Sequence, residues 1–334
     1  MNKPFFSVLV PVYNMQGKMD ECINSLLGQS FSDFEVIMVN DGSSDESLKM
    51  IQEFAEHDDR FIALSHEENK SLLAARYTGM AQAKGDYVFF LDSDDYLEGD
   101  TFEYIFNYVK ENPVDIVRFG YIIEPQKTEM LPPKTDDPLK YFLEGSMTPN
   151  VWKNCYSSEV IRKTIETSDA FRCNMGEDVF LSGVLFSNAE SIGVIDKVFH
   201  HYILGTGMST TSSNMTEKKI KMDTESVYQS GEHLLNYIEK YNPTYLDEAS
   251  HAVRTMRRFV LMQAIMGDPD YKSVIRKIEL FHKEEYKEIY EWGCNSLLRA
   301  KFLYDMCKTD EAFKKITPPD LRAVLVEDQY TEAL

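Results

Sequence analysis

The sequence predicts an α/β fold, with a mostly parallel sheet flanked by helices and followed by a mainly α-helical C-terminal region. Three observations predict it. Over about the first 120 residues, short apolar runs alternate with amphipathic stretches at helical spacing, which is the pattern of βαβ units. The apolar runs are continuous, as strands covered on both faces must be. From about Thr216 onward strand signals nearly vanish and helical patterns dominate. These observations place one domain at 1–212 and a helical domain or subdomain at 213–334.

Ser7–Tyr13 is a short apolar run that reads as the first strand. Lys18–Leu27 puts Met19, Cys22, Ile23, Leu26 and Leu27 on one helical face. Phe34–Val39 is a second continuous strand, ended by the turn-forming string Asn40-Asp41-Gly42-Ser43-Ser44-Asp45. A helix follows with Leu48, Ile51, Phe54 and Ala55 at helical spacing. Phe61–Ser65 is a weaker strand, and Leu72–Ala83 is an Ala-rich helix closed by Gly85. Tyr87–Leu91 is the next strand, Thr101–Lys110 a helix stopped by Asn112-Pro113, and Asp115–Tyr121 another strand. Glu124–Pro149 carries Pro and Lys and reads as a surface excursion. Val151–Tyr156, helices near Ser158–Thr164 and Asp178–Asn188, and strands near Ile192–Ile195 and Val198–Leu204 complete the first unit. Thr206–Asn214, rich in Ser, Thr and Gly, reads as a mobile loop or linker.

Composition narrows the function classes. With 334 residues, 43% hydrophobic and 27% charged, the chain is an ordinary globular protein large enough for two domains. Its formal net charge of −20 argues against a nucleic-acid partner, which would call for a basic surface. Five scattered cysteines without a C-x-x-C pair favour reduced thiols in a cytoplasmic protein. The N-terminus reads as a strand rather than a signal peptide, and no run of 18 apolar residues suggests a membrane span. Peripheral contact with the inner face of a membrane stays open, and the sequence gives no reading of oligomeric state.

The chemistry concentrates after the Tyr87–Leu91 strand. Asp86–Asp100 holds a cluster of carboxylates with no Lys or Arg among them. Like charges so close together repel, and a cation relieves them. Mn²⁺ or Mg²⁺ prefers oxygen ligands, and Mg²⁺ usually takes one or two carboxylates together with substrate phosphates. Asp92, Ser93 and Asp94 therefore suggest a metal–diphosphate site at the carboxyl end of a strand, against the plainer reading of a polar turn before a helix. In parallel sheets ligands bind beyond those carboxyl ends. Tyr13-Asn14, Asn40-Asp41 and Asp92-Ser93-Asp94 all end strands, so they should converge on one rim. Neither G-x-G-x-x-G after the first strand nor G-x-x-x-x-G-K-[ST] occurs, which speaks against dinucleotide-binding dehydrogenases and P-loop enzymes.

Five short strings then occur in one order. They are Pro11-Val12-Tyr13-Asn14; Val39-Asn40-Asp41-Gly42-Ser43-Ser44-Asp45; Ala75-Arg76 with Gly79 and Ala83-Lys84-Gly85-Asp86; Leu91-Asp92-Ser93-Asp94-Asp95; and Gly176-Glu177-Asp178. Over roughly residues 5–210 the chain resembles the family 2 glycosyltransferases with the GT-A fold, a Rossmann-like arrangement. The resemblance implies an inverting enzyme that takes a sugar from a nucleotide-diphosphate donor, a UDP-sugar by expectation. Neither Trp152 nor Trp292 follows an Arg as in the Q-x-x-R-W motif of polymerising members, which with the lack of transmembrane runs speaks for a non-processive enzyme. It implies a saccharide or lipid-linked saccharide acceptor, in surface polysaccharide or glycoconjugate synthesis. Pro11, Tyr13, Asn14, Asp41, Arg76, Asp92, Ser93 and Asp94 would line the nucleotide sugar. Asp41 would accept from the base, Tyr13 would stack on it, Arg76 would offset the diphosphate, and Asp92 and Asp94 would hold the divalent cation. Along an extended segment Asp92 and Asp94 would point the same way with Ser93 opposite, while Asp95 would cap the next helix. Asp178 would deprotonate the acceptor hydroxyl, with Glu177 orienting the acceptor or capping its helix.

Other readings remain beside these. His200-His201 falls where some GT-A enzymes add a metal ligand, and strand alternation allows at most one of the two to do so. Met208-Ser209-Thr210-Thr211 sits where the family has a loop over the donor. Arg254, Arg257 and Arg258 share one helix face, which reads as a solvated face paired with carboxylates or as a lipid-headgroup contact. A sugar nucleotidyltransferase is one rival, though Asn14-Met15-Gln16-Gly17-Lys18 is a poor substitute for the Gly-rich, basic loop it needs. A catalytically silent nucleotide-binding protein is the other.

Overall fold

The central sheet of this protein is mixed. The computed structural model describes residues 3–135, 137–144, 150–204, 216–265, 271–281, 283 and 286–295. Strands β1 (Phe6–Val12), β2 (Phe34–Asp41), β3 (Phe61–His66) and β4 (Tyr87–Phe90) run parallel in the order β3-β2-β1-β4. Helices α1 (Asp20–Leu27), α2 (Ser47–His57) and α3 (Leu72–Gln82) connect them. β1 and β2 are buried at every position, which is why their sequences are apolar runs rather than alternations.

The second half departs from the expected parallel order. β6 (Ile116–Glu124), β8 (Asn154–Ser157) and β9 (Ile192–Ile203) extend the sheet as β4-β8-β6-β9, with β8 antiparallel to both of its neighbours. A two-residue β5 (Tyr96–Leu97) and the short β7 (Thr128–Met130) add antiparallel pairs on β9 and β6. The sheet is thus mixed and curls toward a half-barrel, a correction to the mostly parallel expectation. A continuous apolar run reports burial on both faces and carries no sign of strand direction. The two expected strands at the end of this unit are one 12-residue β9, which stays paired with β6 through a register irregularity near Gly120. The expected excursion after Glu124 contains β7 and a short helix, α5 (Pro138–Leu143), whose Asp137 cap accepts from the Lys140 amide at 3.0 Å. The loop expected at Thr206–Asn214, including Met208–Thr211, lies outside the described residues.

One face of the sheet packs on α1, α2 and α4 (Thr101–Glu111) through an aromatic core. Phe6, Phe34, Phe89 and Phe102 meet there with ring centroids 5.0–5.4 Å apart. The string around Lys84-Gly85 has a purely architectural role. The Ser7 hydroxyl donates to buried Glu35 at 2.7 Å and accepts from the Gly85 amide at 2.8 Å, while the Lys84 amide donates to Glu35 at 2.8 Å. These bonds satisfy backbone groups where α3 turns into β4.

α6 (Ser158–Thr167) and α7 (Glu177–Ser187) follow β8, and α8 (Glu217–Tyr241), α9 (Leu246–Ile265) and α10 (Tyr271–Glu279) form the helical C-terminal region. Packing divides the chain into Met1–Thr210 with Gln229–Ala252, and Thr211–Tyr228 with Val253–Leu334. Within the second unit, Arg257 lies over the Tyr228 ring at 4.1 Å and Arg258 pairs with Glu288 at 3.2 Å. Among the described residues no helix is long and apolar enough to cross a membrane.

Candidate active site

The loops after β1 and β2 are laced together at the carboxyl edge of the sheet. Asn14 adopts a left-handed conformation (φ 53°); its amide donates to Ser43 Oγ at 3.0 Å and its side-chain oxygen accepts from the Ser44 amide at 2.8 Å. Pro11 is buried within β1, whereas the Tyr13 ring is 45% exposed at the rim. Asp41 ends β2 and is buried. It accepts from the Lys70 and Ser71 amides at 2.8 and 2.9 Å and lies 2.7 Å from His66 Nδ1, which fixes the loop before α3. A carboxylate has about four acceptor positions, so Asp41 keeps room for one more donor. Gly42 turns the chain at φ 67°, and a Cβ there would sit 2.5 Å from backbone atoms of Glu68 and Asn69.

After β4 the acids form a turn, closed by the Asp95 amide donating to the Asp92 carbonyl at 3.0 Å, rather than an extended segment. Asp92 and Asp94 are half-buried, while Ser93 and Asp95 are buried. The expected helix cap at Asp95 is not made. Asp100 occupies the cap position of α4, and the Asp95 carboxylate accepts from the Ile203 amide at 2.8 Å and lies 2.9 Å from His200 Nε2. A carboxylate this buried finds stronger partners inside the fold than a solvent-facing helix end offers. Burial first, and then the neighbouring Asp92 charge, push the Asp95 carboxyl well above the ordinary range. Burial also lowers His200 to about 3, so the ring is neutral; it stacks on Trp152 at 4.2 Å. His201 faces the other way, between Glu124 and Glu98 at 3.2 and 2.8 Å.

Arg76 joins the two acidic strings. It lies on α3, 1% exposed; one guanidinium nitrogen donates to Asp92 at 3.0 Å, and the other to Asp178 at 2.6 Å and Glu177 at 3.3 Å. Glu177 and Asp178 open α7 directly after Gly176, whose φ of 84° suits glycine and turns the chain so that the first helical turn faces Arg76. Burial raises Glu177 to about 8, helped by Asp178 and opposed by Arg76. Burial likewise raises Asp178, with Arg76 the main opposing influence. Asp178 is the more accessible of the two, with 19% of its side chain exposed against 9% for Glu177. Both acids thus sit near an Arg that holds charge on them and a burial that resists it. That is how a carboxylate is tuned to take up a proton.

Sequence reasoning missed His66 and Ser71. Neither belongs to a recognisable string, and each enters the site through Asp41, distant in sequence. A cavity of about 520 Å³ lies elsewhere, on the outer side of α3 between Ala74, Tyr77, Ile165 and Phe171. It contains none of the converging acids, so the charged rim rather than that hollow defines the candidate site.

Residues 7–165 match the family model described as glycosyl transferase family 2. The chain carries a family 2 glycosyltransferase domain. Among the relatives of this glycosyltransferase domain, an uncharacterized glycosyltransferase, EpsJ, of Bacillus subtilis is 31% identical over 211 residues, covering 60% of this chain and 61% of EpsJ. The minor teichoic acid biosynthesis protein GgaB of the same organism is 28% identical over 63% of this chain and 24% of its own. The chain thus spans about three fifths of EpsJ and about a quarter of GgaB. Residues 1–349 of Staphylococcus aureus TarS, crystallised with UDP-GlcNAc, share the fold with a TM-score of 0.59 at 19% identity, over 98% of this chain and 91% of that one. The family match ends at residue 165, so Glu177 and Asp178 connect to the glycosyltransferase domain through Arg76.

Proposed function

We propose that this protein moves a sugar from a nucleotide-diphosphate donor, a UDP-sugar, to an acceptor hydroxyl with inversion, in the assembly of a surface polysaccharide or related glycoconjugate. The observation that carries the proposal is the Arg76 bridge, which holds Asp92 on one side and Glu177 with Asp178 on the other. A leaving diphosphate and an attacking hydroxyl must sit on opposite faces of one anomeric carbon, so their two sets of groups must adjoin. Family membership, a GT-A type organisation of the strand ends, and the UDP-GlcNAc complex of TarS support the donor class. The teichoic acid role of GgaB supports the polymer context. A cytoplasmic location, at the inner face of the membrane for a lipid-linked acceptor, belongs to the same proposal.

In the mechanism, Asp178 takes the proton of the acceptor hydroxyl as its oxygen forms a bond to the anomeric carbon. The carbon–oxygen bond to the diphosphate breaks on the opposite face and its electron pair leaves with the diphosphate. Glu177 orients the acceptor, and Arg76, a permanent cation, moderates the charge of both acids. Pro11, Tyr13, Asn14 and Asp41 hold the base, and Ser93 sits inside the turn that presents the two neighbouring acids. Among the described residues no group of three or more His, Cys, Asp or Glu side chains forms a metal cage. Two half-buried carboxylates, Asp92 and Asp94, nevertheless fit a Mg²⁺ or Mn²⁺ that draws its remaining ligands from substrate phosphates and water. Such a cation, when bound, offsets the charge developing on the leaving diphosphate.

The test is a panel of nucleotide sugars measured by thermal shift with and without Mn²⁺, followed by transfer assays. A metal-dependent rise with UDP but not GDP or NAD, lost in Asp94→Asn, is expected. Pyrophosphate release from a nucleoside triphosphate would instead mark a nucleotidyltransferase. UDP binding with no transfer across a broad acceptor panel would mark a silent binding protein.

A further inference from the structure

Lys153 is buried against aromatic rings, and among the described residues no carboxylate forms an ion pair with its ammonium. Its side chain is 2% exposed, and among the described residues its ammonium makes neither a hydrogen bond nor an ion pair. What surrounds it is aromatic: the ammonium lies 4.3 Å from the Tyr121 ring centroid and 5.1 Å from that of Trp152. Bringing an ammonium out of water costs several kcal/mol even after relaxation, whereas a desolvated ring face returns about 2 kcal/mol. Arg118, also buried, acts on it as a like charge. Keeping this ammonium, or giving up its proton to avoid the cost, destabilises the empty protein, and a Met or Leu of similar size would not.

Its position gives the reason. Lys153 ends the 3-10 turn Val151–Lys153 that leads into β8, and this turn packs on both β4 and α7. β4 leads to Asp92 and Asp94, and α7 begins with Glu177 and Asp178. Asp178 is the acid whose field reaches Lys153, and Arg76 serves both Asp178 and Asp92. Burial pushes the Lys153 ammonium well below its ordinary range, and an anion arriving beside it would reverse that shift.

We infer that Lys153 recognises a negatively charged group, a carboxylate or phosphate ester, on the acceptor saccharide beside the hydroxyl that Asp178 deprotonates. This rests on the reading of Glu177 and Asp178 as the acceptor side of a transferase site. The aromatic walls supply no fixed counter-charge, so an anion of the ligand is what favours the ammonium there. A neutral acceptor would leave Lys153 as costly in the complex as in the free protein, which makes the residue a selector for charged acceptors.

The test is isothermal titration of the full chain, with and without UDP and Mn²⁺, using methyl β-glucuronide, glycerol 3-phosphate and neutral methyl β-glucoside as probes. At least one charged probe should bind at least about tenfold more tightly than the glucoside, the worth of one charge-assisted hydrogen bond. Lys153→Met should remove that advantage and leave glucoside binding unchanged, while Lys153→Arg should retain part of it. The melting temperature of Lys153→Met should equal or exceed that of the parent, which separates ligand recognition from a structural role. Charged and neutral probes binding alike, no binding by either charged probe, or an unchanged charged-probe Kd in Lys153→Met would each overturn the inference. Discrimination of UDP-glucuronic acid from UDP-glucose that depends on Lys153, with none among the acceptor probes, would move the anion to the donor and overturn the acceptor assignment. The titrations need no turnover, so a failed transferase reading would show itself separately, in transfer that survives Asp178→Asn.

Discussion

Removing Arg76 should destabilise the fold by an amount that grows with pH. Its guanidinium is 1% exposed and serves three carboxylates at 2.6, 3.0 and 3.3 Å, so Arg76→Met leaves Asp92, Glu177 and Asp178 facing one another without a cation. Breaking a buried ion pair from one side costs roughly 3–5 kcal/mol. At about 2 °C per kcal/mol for a domain of more than 200 residues, the melting temperature should fall by roughly 6–10 °C near pH 8. The sign of the pH dependence follows from protons. Arg76 lowers the proton affinity of Glu177 and Asp178, so without it the native state keeps protons to higher pH. Stability then falls more steeply with rising pH, by about 1.4 kcal/mol per pH unit for each extra proton the native state retains. The deficit should therefore shrink from about pH 8 down to about pH 5.5, as Glu177, raised to about 8, takes up its proton and the cation matters less. Differential scanning calorimetry across that range checks this, with Phe102→Ala as a control. That control should lose about 3–5 kcal/mol from the aromatic core with little pH dependence. A deficit for Arg76→Met below about 1 kcal/mol, or one that is flat with pH like the control, would refute the reasoning.

Other outcomes follow from the same geometry. Asp178→Asn should lower transfer by about 10²–10⁴-fold with UDP binding retained, as expected for loss of a general base and checked by turnover beside calorimetric binding. EDTA should abolish UDP-dependent thermal stabilisation, and Mn²⁺ should restore it in the parent but not in Asp92→Asn with Asp94→Asn. Gly42→Ala forces a Cβ to 2.5 Å from the Glu68–Asn69 backbone at φ 67°, at a strain of about 1–3 kcal/mol. Because Lys70 and Ser71 hold Asp41, its UDP affinity should fall together with its melting temperature. Asp95→Leu should lower the melting temperature and slow hydrogen exchange should be lost at Ile203, whose amide donates to Asp95 at 2.8 Å.

Much of this protein is legible in its sequence. Continuous apolar runs specified buried strands at β1, β2 and β4, because covering both faces of a sheet leaves no polar alternation to confuse the period. Polar strings at the ends of those runs marked Asn14, Asp41 and Asp92 as rim residues, since a strand interior would not tolerate them. The order of the five strings marked the family. What stayed hidden were partnerships and directions. β8 runs antiparallel between β4 and β6, and an apolar run of four residues looks the same in either direction. Asp95 reads as a helix cap because the next helix is close in sequence, yet His200 and Ile203, more than 100 residues away, are the partners it finds inside. Lys153 beside Trp152 carries no sequence signal, and its meaning depends on burial that only packing creates. The sequence by itself determined which segments are buried and which acids lie at strand ends, because those follow from local periodicity and polarity. Tertiary structure alone decided that Arg76 neutralises acids from two distant strings and that Lys153 lies against aromatic rings, with no carboxylate bonded to it among the described residues. The energy of a charge depends on its dielectric surroundings and on neighbours the chain brings from afar.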